Sequence, residues 1–399
     1  MKTSAFLYPW DVVGDPAAAD RVAALGVDQV TLASAYHSTR ALTPRHPRHR
    51  IVTARHAAVL YPVDEARWLG RRLRPYAQDW VAGEDPFGEA ATALGAAGLD
   101  VHTWVVLAHN SRMGAEHPDT SVVNAYGDRY PWAPCIAQRE VRDYVVELAA
   151  EAAVRPGAAG CELESLGWYG LAHLHAHDKI GGVALGGAAQ YLMSLCFCPA
   201  CEAGYASVGI GAAELRSVVR RALGPVWSGE PGAGSADRAG EWAEVEKLLG
   251  ADLAAATLAW RTRAARETQE AAIDAVRVHA EPGFQVLLHA DPAVHRCGAN
   301  AGVDPGHILA EADGVVLPCG GGRAAREAVL GPFKAAGAEG ESRVLAANFT
   351  VVGGMGGSPA TLGDDAAHAV SLGATELRLY HAGLASDGDL AAVRDALRA

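Results

Sequence analysis

Short apolar runs alternate along most of the chain with Ala-rich amphipathic segments, and polar or aromatic residues follow most of the apolar runs. Short apolar runs bounded by Gly or Asp are typical of buried strands, whereas the Ala-rich segments have a helical period. The predicted strands are Ala5–Pro9, Gln29–Ala33, Val101–Ala108, Gly160–Glu164, Phe284–His289, Gly314–Pro318, Arg343–Asn348 and Glu376–Tyr380. The predicted helices are Ala17–Leu25, Pro86–Ala97, Arg139–Ala153, Arg261–His279, Pro305–Ala312, Arg323–Ala336, Ala360–Leu372 and Asp389–Leu397.

Strands that are apolar throughout and alternate with helices predict a parallel sheet covered on both faces. Eight such units fit a closed (β/α)8 TIM barrel, which takes about 250 residues before insertions. The chain has 399 residues, and the excess falls in two long insertions, after strand two (residues 36–85) and after strand four (residues 167–260). We therefore predict an α/β fold with one barrel domain over residues 1–399 and an inserted helical subdomain at 167–260. An open doubly wound sheet is the alternative, although no Gly-x-Gly-x-x-Gly turn follows the first strand.

The fourth predicted strand ends in two acids, Glu162 and Glu164, and two aromatic residues, Trp168 and Tyr169, follow shortly after. Because side chains alternate along a strand, the two carboxylates point the same way, about 7 Å apart. Two carboxylates on an otherwise apolar strand are costly unless they meet a metal, a cation or a substrate. Acids beside flat aromatic rings suit a sugar-handling site. The alternative is an ordinary strand whose acids pair with a nearby Arg or Lys.

All strand ends of a barrel share one rim, so residues far apart in sequence converge there. Nearly every predicted strand end carries polar or aromatic residues, which suit a polyhydroxylated ligand. The candidate substrate-binding residues are Trp10, Asp11, Tyr36, His37, His109, Asn110, Trp168, Tyr169, His289, Asn348, Tyr380 and His381.

Hydrolysis of a glycosidic bond usually needs two carboxyl groups, one of them protonated as the general acid. Glu164 lies nearest the predicted rim, so we assign it as the acid or acid/base. Glu162 lies one layer deeper, where its charge would raise the pKa of its neighbour. Asp291 is the candidate partner from across the mouth, with Asp11 in reserve.

The segment Cys196-Phe-Cys-Pro-Ala-Cys201 is the most specific metal-like motif in the chain. Three thiolates at this spacing can close on one small tetrahedral ion, but a closed site needs a fourth ligand, for which Cys135 is the candidate. Zn²⁺ bound by Cys135, Cys196, Cys198 and Cys201 would be structural and would fasten the long loop after strand four. Reduced thiols without metal and a redox role are the alternatives.

The charged residues and the histidines of the sequence also limit the classes of binding partner. The formal net charge of -12 argues against a nucleic-acid partner, since phosphate contacts need clustered Lys and Arg. The one basic run, Arg45 to Arg55, is interpreted as a solvated loop, with an anion patch as the alternative. The cluster His173, His175 and His177 is interpreted as solvated or substrate-binding rather than as a second metal site.

The sequence was also searched for membrane spans and a signal peptide, and the pattern of apolar residues predicts neither. No apolar run approaches the ~18 residues of a membrane span. The first residues lack the apolar core and cleavage site of a signal peptide. Seven cysteines without such a signal favour reduced thiols or a metal site over disulfides. We therefore expect a cytoplasmic protein without a membrane partner.

On these residues, the chain resembles a TIM-barrel glycoside hydrolase. Its cysteine arrangement is similar to that of the barrel β-galactosidases in which one Cys before strand four and a later C-x-C-x-x-C hold a structural zinc. The resemblance covers the barrel order and the cysteine motif, and it implies zinc ligation by the four cysteines named above and a general acid/base at Glu164. Two positions depart from that family. Leu163 stands where an Asn precedes the acid, and strand seven ends Ala347-Asn348-Phe349 without the nucleophilic Glu.

The spaced acids of strand four also resemble those of chitinase-like barrels, in which the substrate's own acetamido group attacks. The leading hypothesis is therefore a carbohydrate-active enzyme, an O-glycosyl hydrolase acting on a small-molecule or oligosaccharide substrate at the C-terminal face of the barrel. One alternative is a divalent-metal sugar isomerase or epimerase that uses Glu162 or Glu164 with His289 and Asp291 as ligands. The other is a non-catalytic glycan-binding barrel. Homo-oligomerisation is left open.

Overall fold

The computed structural model describes residues 1–171, 179–234, 237–337 and 343–398. Within these residues, eight parallel strands pair side by side into a closed barrel. The barrel strands are β1 (Lys2–Leu7), β2 (Gln29–Tyr36), β3 (Asp100–Val106), β4 (Gly160–Glu164), β5 (Gln285–Asp291), β6 (Gly314–Pro318), β7 (Val344–Thr350) and β8 (Glu376–Tyr380). Lys2 pairs with Glu376 of β8 and Ser4 with Gln29 of β2, so β1 closes the ring. The predicted (β/α)8 barrel is confirmed, and the open-sheet alternative is wrong.

Most predicted strands recur with shifts of a few residues at their ends, and β4, β6 and β8 have the predicted bounds. The largest difference is at β1, which spans Lys2–Leu7 rather than the predicted Ala5–Pro9. Pro9–Asp11 form a 3-10 turn with proline at its first position. Because proline has no N–H to give to a sheet ladder, the strand ends before it.

The barrel interior has an apolar side and a polar side. Leu287, Val316 and Ala346, from the adjacent strands β5, β6 and β7, pack together as a small apolar cluster. On the adjacent strands β1 and β2, the hydroxyls of Ser4 and Thr31 lie 2.8 Å apart in a hydrogen bond. The charged residues described below contact this polar side.

Helices surround the barrel between its strands. Those of the barrel repeat are Ala18–Ala23, Pro86–Ala96, Arg139–Ala153, Ala251–His279, Pro305–Glu311, Arg323–Ala336, Leu362–Ser371 and Asp387–Arg398. The long helix begins at Ala251 rather than at the predicted Arg261. Gly250, with φ 84°, separates it from the preceding helix, a backbone angle that glycine adopts without strain.

The longest connections leave from the carboxyl ends of β2, β3 and β4. After β2, Thr39–Leu42 and Ile51–Ala54 form an antiparallel hairpin, and Ala58–Val59 pairs with β2. After β3 come the helix Ser111–Glu116, the 3-10 turn Pro118–Thr120 and the hairpin Ser121–Val123 with Arg129–Pro134. After β4 come the 3-10 turn Ile180–Gly182 and the helices Gly187–Met193, Pro199–Ser207, Ala212–Ala222, Gly224–Trp227 and Glu241–Leu249.

Shorter elements complete the barrel rim: the strand Ala301–Gly302 beside β5, and the 3-10 turns Gly353–Met355, Pro359–Thr361 and Ala382–Leu384. The predicted histidine cluster His173, His175 and His177 lies outside the described residues. Among the residues that are described, every helix is too short or too polar to cross a membrane.

Candidate active site

Two carboxyl groups of β4 lie inside the barrel near its carboxyl end, and both are buried. Glu162 is 0% exposed and Glu164 3%. The imidazole of His289, on β5, lies between them, with Nε2 3.5 Å from Glu162 Oε2 and Nδ1 3.9 Å from Glu164 Oε2. The indole Nε1 of Trp104, on β3, donates to Glu164 Oε2 at 2.7 Å. Three adjacent strands therefore hold this acid pair around one imidazole.

Glu162 also belongs to a buried ion network with Arg378 of β8, which is 0% exposed. Arg378 Nε donates to Glu162 Oε1 at 2.6 Å, and its Nη1 donates to Glu376 Oε2 at 2.8 Å. The hydroxyl of Thr31 donates to the same Glu162 oxygen at 3.0 Å. A buried carboxylate with a guanidinium and a hydroxyl as partners has its charge compensated inside the protein.

The pKa values of the two β4 carboxyls shift in opposite directions. Burial is the largest influence on both and favours the neutral form. For Glu162, the charges of Arg378 and His289 outweigh burial and lower the pKa to about 2. For Glu164, burial outweighs His289 and the Trp104 hydrogen bond, so the pKa is raised, with Glu162 adding a smaller contribution. Burial, more than the predicted like charge, therefore shifts Glu164 toward its protonated form.

The residue after Glu164 has a left-handed backbone. Ser165 has φ 58°, which is uncommon for a residue other than glycine. Its N–H donates to Ala299 O at 2.8 Å, and its carbonyl accepts from Ala108 N at 3.1 Å. Residues held in such conformations by their surroundings concentrate at functional sites. These two contacts fix where β4 turns and so hold Glu164 at the end of the strand.

A wall of aromatic rings lies beside Glu164. The ring of Trp104 is 4.6 Å from that of Tyr36 and 5.6 Å from that of Tyr380, between centroids. Burial, with Glu164 next, raises the pKa of the Tyr36 and Tyr380 hydroxyls, which places both near this carboxyl. Tyr8 donates to the Tyr36 hydroxyl at 3.0 Å, and its own oxygen is 3.0 Å from His381 Nδ1. The wall presents hydroxyls and flat apolar faces to the acid.

The wall of rings continues through further residues that the sequence predicted to bind substrate. His37 stacks on Tyr36 at 4.2 Å, and its ring is 5.0 Å from that of His109. His109 in turn stacks on Tyr169 at 4.2 Å. Burial, followed by the nearby His37, lowers the pKa of His381 to about 3, so this imidazole is neutral at neutral pH. Six of the predicted substrate-binding residues thus belong to this wall: Tyr36, His37, His109, Tyr169, Tyr380 and His381.

Three other predicted residues make contacts that support the fold. Trp10 stacks on Tyr8 at 4.4 Å and is 1% exposed. Asn110 caps the helix that follows it, since its Oδ1 accepts a backbone N–H at 3.0 Å. Trp168 donates from Nε1 to a backbone carbonyl of the long helix at 2.9 Å. These side chains brace the rim of the barrel.

The remaining predicted acids and amide have different surroundings. Asp291 Oδ1 accepts from Arg238 at 2.5 Å and from the backbone N–H of Ala293 at 2.8 Å. Asp11 Oδ2 accepts a backbone N–H at 2.9 Å, and this residue lines a cavity outside the barrel. The buried Oδ1 of Asn348, on β7, has no hydrogen-bond partner among the described residues. Asn348 is thus a buried acceptor on β7, a strand without an acid.

Sequence reasoning missed three residues of the site: Thr31, Trp104 and Arg378. Arg378 alternates with leucines in Glu376-Leu-Arg-Leu-Tyr380, and a lone cation in an apolar strand signals a buried ion pair. Trp104 and Thr31 lie inside apolar strands, so their residue types alone do not distinguish them from core positions.

The four predicted metal-binding cysteines converge in a second, buried site. Their Sγ atoms all lie within 4.8 Å of one another, and Cys135 Sγ is 3.6 Å from both Cys198 Sγ and Cys201 Sγ. A disulfide requires about 2.05 Å. Sulfur ligands at about 2.3 Å around one tetrahedral Zn²⁺ stand about 3.8 Å apart. Cys196 Sγ also accepts the backbone N–H of Val123 at 3.5 Å. The donor set and its spacing fit a tetrahedral metal ion.

Comparison with known proteins supports the fold. No family model and no curated protein matches the chain. Among solved structures, it is similar to α-L-fucosidase isoenzyme 2 from Paenibacillus thiaminolyticus, with 11% identity over 100% of this chain and 48% of that chain at a TM-score of 0.58. It is also similar to the PgaB (BpsB) glycoside hydrolase domain from Bordetella bronchiseptica, with 15% identity over 99% of this chain and 98% of that chain at a TM-score of 0.56.

A β-galactosidase from G. stearothermophilus is a third match, with 12% identity over 100% of this chain and 56% of that chain at a TM-score of 0.56. The chain thus spans about half the length of the fucosidase and the β-galactosidase, and nearly all of the PgaB domain. The chain has the fold of TIM-barrel glycoside hydrolases, as the sequence resemblance predicted. At this identity the likeness defines the fold, and the chemistry must be argued from the site.

Proposed function

We propose that the protein hydrolyses a glycosidic bond at the carboxyl end of its barrel, with Glu164 as the general acid. The observation that carries this proposal is the contrast between the two β4 carboxyls. Burial raises the pKa of Glu164, while Arg378 and His289 overcome burial to lower that of Glu162 to about 2. A pair of carboxyls whose pKa values are pushed apart identifies the group that can hold a proton for transfer.

Each neighbour has a part in this chemistry. Glu164 gives its proton to the leaving-group oxygen as the glycosidic C–O bond breaks, and the oxygen of a water molecule replaces the leaving group at the anomeric carbon. The proton that this water loses is taken up by a catalytic carboxylate. Trp104 holds the carboxyl by its 2.7 Å hydrogen bond. Glu162 is ionised and lies on the other side of His289 from Glu164. Its negative charge opposes the ionisation of Glu164 and so favours the protonated acid. The ring wall of Tyr36 and Tyr380 supplies a surface on which a sugar can pack.

Asp291 remains our candidate for the second catalytic carboxyl, because it ends the strand next to β4. In the structure its Oδ1 accepts from Arg238 at 2.5 Å. A role as nucleophile or base therefore requires this contact to open when substrate binds. Asn348 lies on β7, which carries no acid, and its free Oδ1 would accept a hydrogen bond from a substrate hydroxyl.

The isomerase alternative is less well supported by these contacts. A divalent ion held by His289, Asp291 and either Glu162 or Glu164 would have to displace Arg238, which already donates to Asp291. If Glu162 were the ligand, the ion would have to displace Arg378 as well. Among the described residues, only the four cysteines bring at least three ligating atoms within 4.8 Å of one another. The proposal therefore stays with acid catalysis by Glu164.

Hydrolysis itself is the test. Purified protein is incubated with a panel of aryl-glycosides and oligosaccharides, and product is followed by released phenol and reducing ends. We expect turnover of at least one glycoside by the wild-type protein and none above background by Glu164→Gln. Saturable glycan binding without product from any member of the panel would reject the enzyme and support the glycan-binding alternative.

The pH dependence of hydrolysis follows from the raised pKa of Glu164. The acid works only while protonated, so kcat/KM should fall as pH rises through that pKa, and the descending limb should lie above the ordinary pKa of a glutamate side chain. The measurement is kcat/KM against pH on a glycoside whose leaving group needs protonation. A rate that keeps rising with pH through neutrality contradicts the role of Glu164.

We further propose that Cys135, Cys196, Cys198 and Cys201 hold one structural Zn²⁺. The ion would tie the helical segment after β4 to the loop before the Arg139–Ala153 helix. We expect elemental analysis to find about one zinc per chain, and Cys198→Ala to lose it together with thermal stability, because structural zinc contributes directly to folding. Cys319→Ala, at a buried cysteine elsewhere in the fold, is the matched control. Zinc retained in full by Cys198→Ala would disprove this assignment.

A further inference from the structure

Three buried side chains at the mouth of the barrel form a hydrogen-bonded chain. The hydroxyl of Tyr8 donates to the oxygen of Tyr36 at 3.0 Å, and the oxygen of Tyr8 lies 3.0 Å from Nδ1 of His381. Tyr8 is 2% exposed, and Tyr36 and His381 are each 6% exposed. Because so little of these side chains meets solvent, they depend on one another for their hydrogen bonds. We call His381, Tyr8 and Tyr36 the phenol chain.

The hydrogen bonds of the phenol chain all run in one direction. A tyrosine hydroxyl has a single proton, and Tyr8 gives its proton to Tyr36. The Tyr8 oxygen can therefore only accept from His381, so Nδ1 of this imidazole carries the hydrogen. Burial, followed by His37, lowers the pKa of His381 to about 3, which leaves the ring neutral with one N–H at neutral pH. Hydrogen bonds aligned in this way strengthen one another in a buried site.

The phenol chain ends beside the proposed acid. The ring of Tyr36 is 4.6 Å from that of Trp104, whose indole donates to Glu164 Oε2 at 2.7 Å. Burial, with Glu164 next, raises the pKa of the Tyr36 hydroxyl, which therefore keeps its proton at neutral pH. Since the Tyr36 oxygen accepts from Tyr8, its own proton is directed away from Tyr8, into the space that it shares with Glu164 and Tyr380.

The first two members of the phenol chain are held in fixed positions. His381 has φ 64°, and in the described part of the chain only Ser165 shares such a left-handed backbone without being glycine. Ser165 directly follows Glu164, so both of these positions lie at the barrel mouth. Such conformations persist only where their surroundings impose them. The ring of Tyr8 stacks on that of Trp10 at 4.4 Å, with 11° between their planes. The imidazole and the first phenol are thus oriented before any substrate binds.

We propose that Tyr8 and His381 are positioning residues that turn the hydroxyl of Tyr36 toward the bound sugar, where Tyr36 donates a hydrogen bond to a sugar oxygen beside Glu164. A donor that is aimed in advance does not have to reorganise during the reaction. His381 then acts through Tyr8 rather than by touching the substrate. The inference rests on the proposed glycosidase for its substrate, whereas the direction of the phenol chain is a property of the free protein.

The direction of the phenol chain is tested by ¹⁵N NMR of the full chain labelled at histidine. The signals of His381 are assigned by their absence from His381→Gln. At pH 7 we expect a neutral imidazole with its hydrogen on Nδ1, and a changed Nδ1 shift in Tyr8→Phe, which lacks the accepting oxygen. Hydrogen on Nε2, or an imidazolium, would overturn the inference whether or not the protein hydrolyses a glycoside. The expected tautomer in a protein without hydrolase activity would instead reject only the proposed function.

A double-mutant cycle on kcat/KM for the best glycoside tests whether Tyr8 acts through Tyr36. We expect losses of about tenfold in Tyr36→Phe and about threefold in Tyr8→Phe, because one neutral hydrogen bond is removed or misdirected. In the Tyr36→Phe background, Tyr8→Phe should cost nothing further. Tyr61→Phe removes a buried hydroxyl without a partner among the described residues, and it should react as the wild type does. Equal losses from Tyr8→Phe in both backgrounds, or undiminished kcat/KM in Tyr36→Phe, would overturn the assignment.

Discussion

Glu164→Gln is expected to lower kcat by about 10²–10⁴-fold on a glycoside with a poor leaving group. The amide has nearly the same shape and can still accept the hydrogen bond from Trp104, but it has no proton to give. A dinitrophenyl glycoside needs no protonation of its leaving group, so its hydrolysis should fall much less. The measurement is kcat for both substrates in the wild type, in Glu164→Gln and in the control Glu281→Gln, whose carboxyl is exposed on a loop.

The comparison of leaving groups separates acid catalysis from a general defect. Equal losses on both substrates would place the effect in binding or in another step, and undiminished turnover of the poor substrate would remove Glu164 from the mechanism. An unchanged unfolding transition in Glu164→Gln is part of the expected result, because the native carboxyl is shifted toward its neutral form.

Arg378→Met should be the most destabilising single change in the barrel interior that we consider. Removing the guanidinium leaves Glu162 buried without its main partner, and breaking a buried pair costs about 3–5 kcal/mol. The free energy of unfolding, from urea denaturation at pH 7, is the readout. The pKa of Glu162 is lowered in the folded protein to about 2, so its stabilising contribution is present above the unfolded value near 4.5 and is lost as pH falls through 2.

The double variant Glu162→Gln/Arg378→Met is the control for this prediction. It removes both charges and should recover part of the lost stability, since no uncompensated ion remains. The free energy of unfolding is also measured for Glu162→Gln alone. Two results would show that Glu162 and Arg378 are not coupled as the 2.6 Å contact indicates. One is an Arg378→Met variant as stable as the wild type, and the other is a double variant whose loss of stability equals the sum of the two single losses.

The sequence predicted the barrel because local patterns suffice for it: a buried strand followed by a helix recurs at each repeat, and the strands of such repeats pair in parallel. It also predicted β4 and its acids with the bounds that the structure shows. Local patterns mispredicted the bounds of a strand or helix where an adjoining proline or glycine determines them. Pro9 ends β1 early, and Gly250 moves the start of the long helix to Ala251.

The electrostatics of the site depend on contacts between distant segments, which a single sequence does not reveal. The alternative in which the β4 acids pair with a nearby Arg or Lys holds for one of the two acids. Glu162 does so, with Arg378 more than two hundred positions away, whereas Glu164 instead accepts from the uncharged indole of Trp104. The difference between the two acids therefore arises from the closure of β8 onto β1, which brings Arg378 into the interior.

The protonation state of Glu164 is the most direct test of this account. Infrared difference spectra between the wild type and Glu164→Gln, recorded over a series of pH values, isolate the signal of this one side chain. We predict the C=O stretch of an un-ionised, buried carboxylic acid that is absent from the variant and converts to carboxylate bands with a midpoint above the ordinary pKa of glutamate. Conversion with a midpoint at or below that ordinary value would contradict the proposed role.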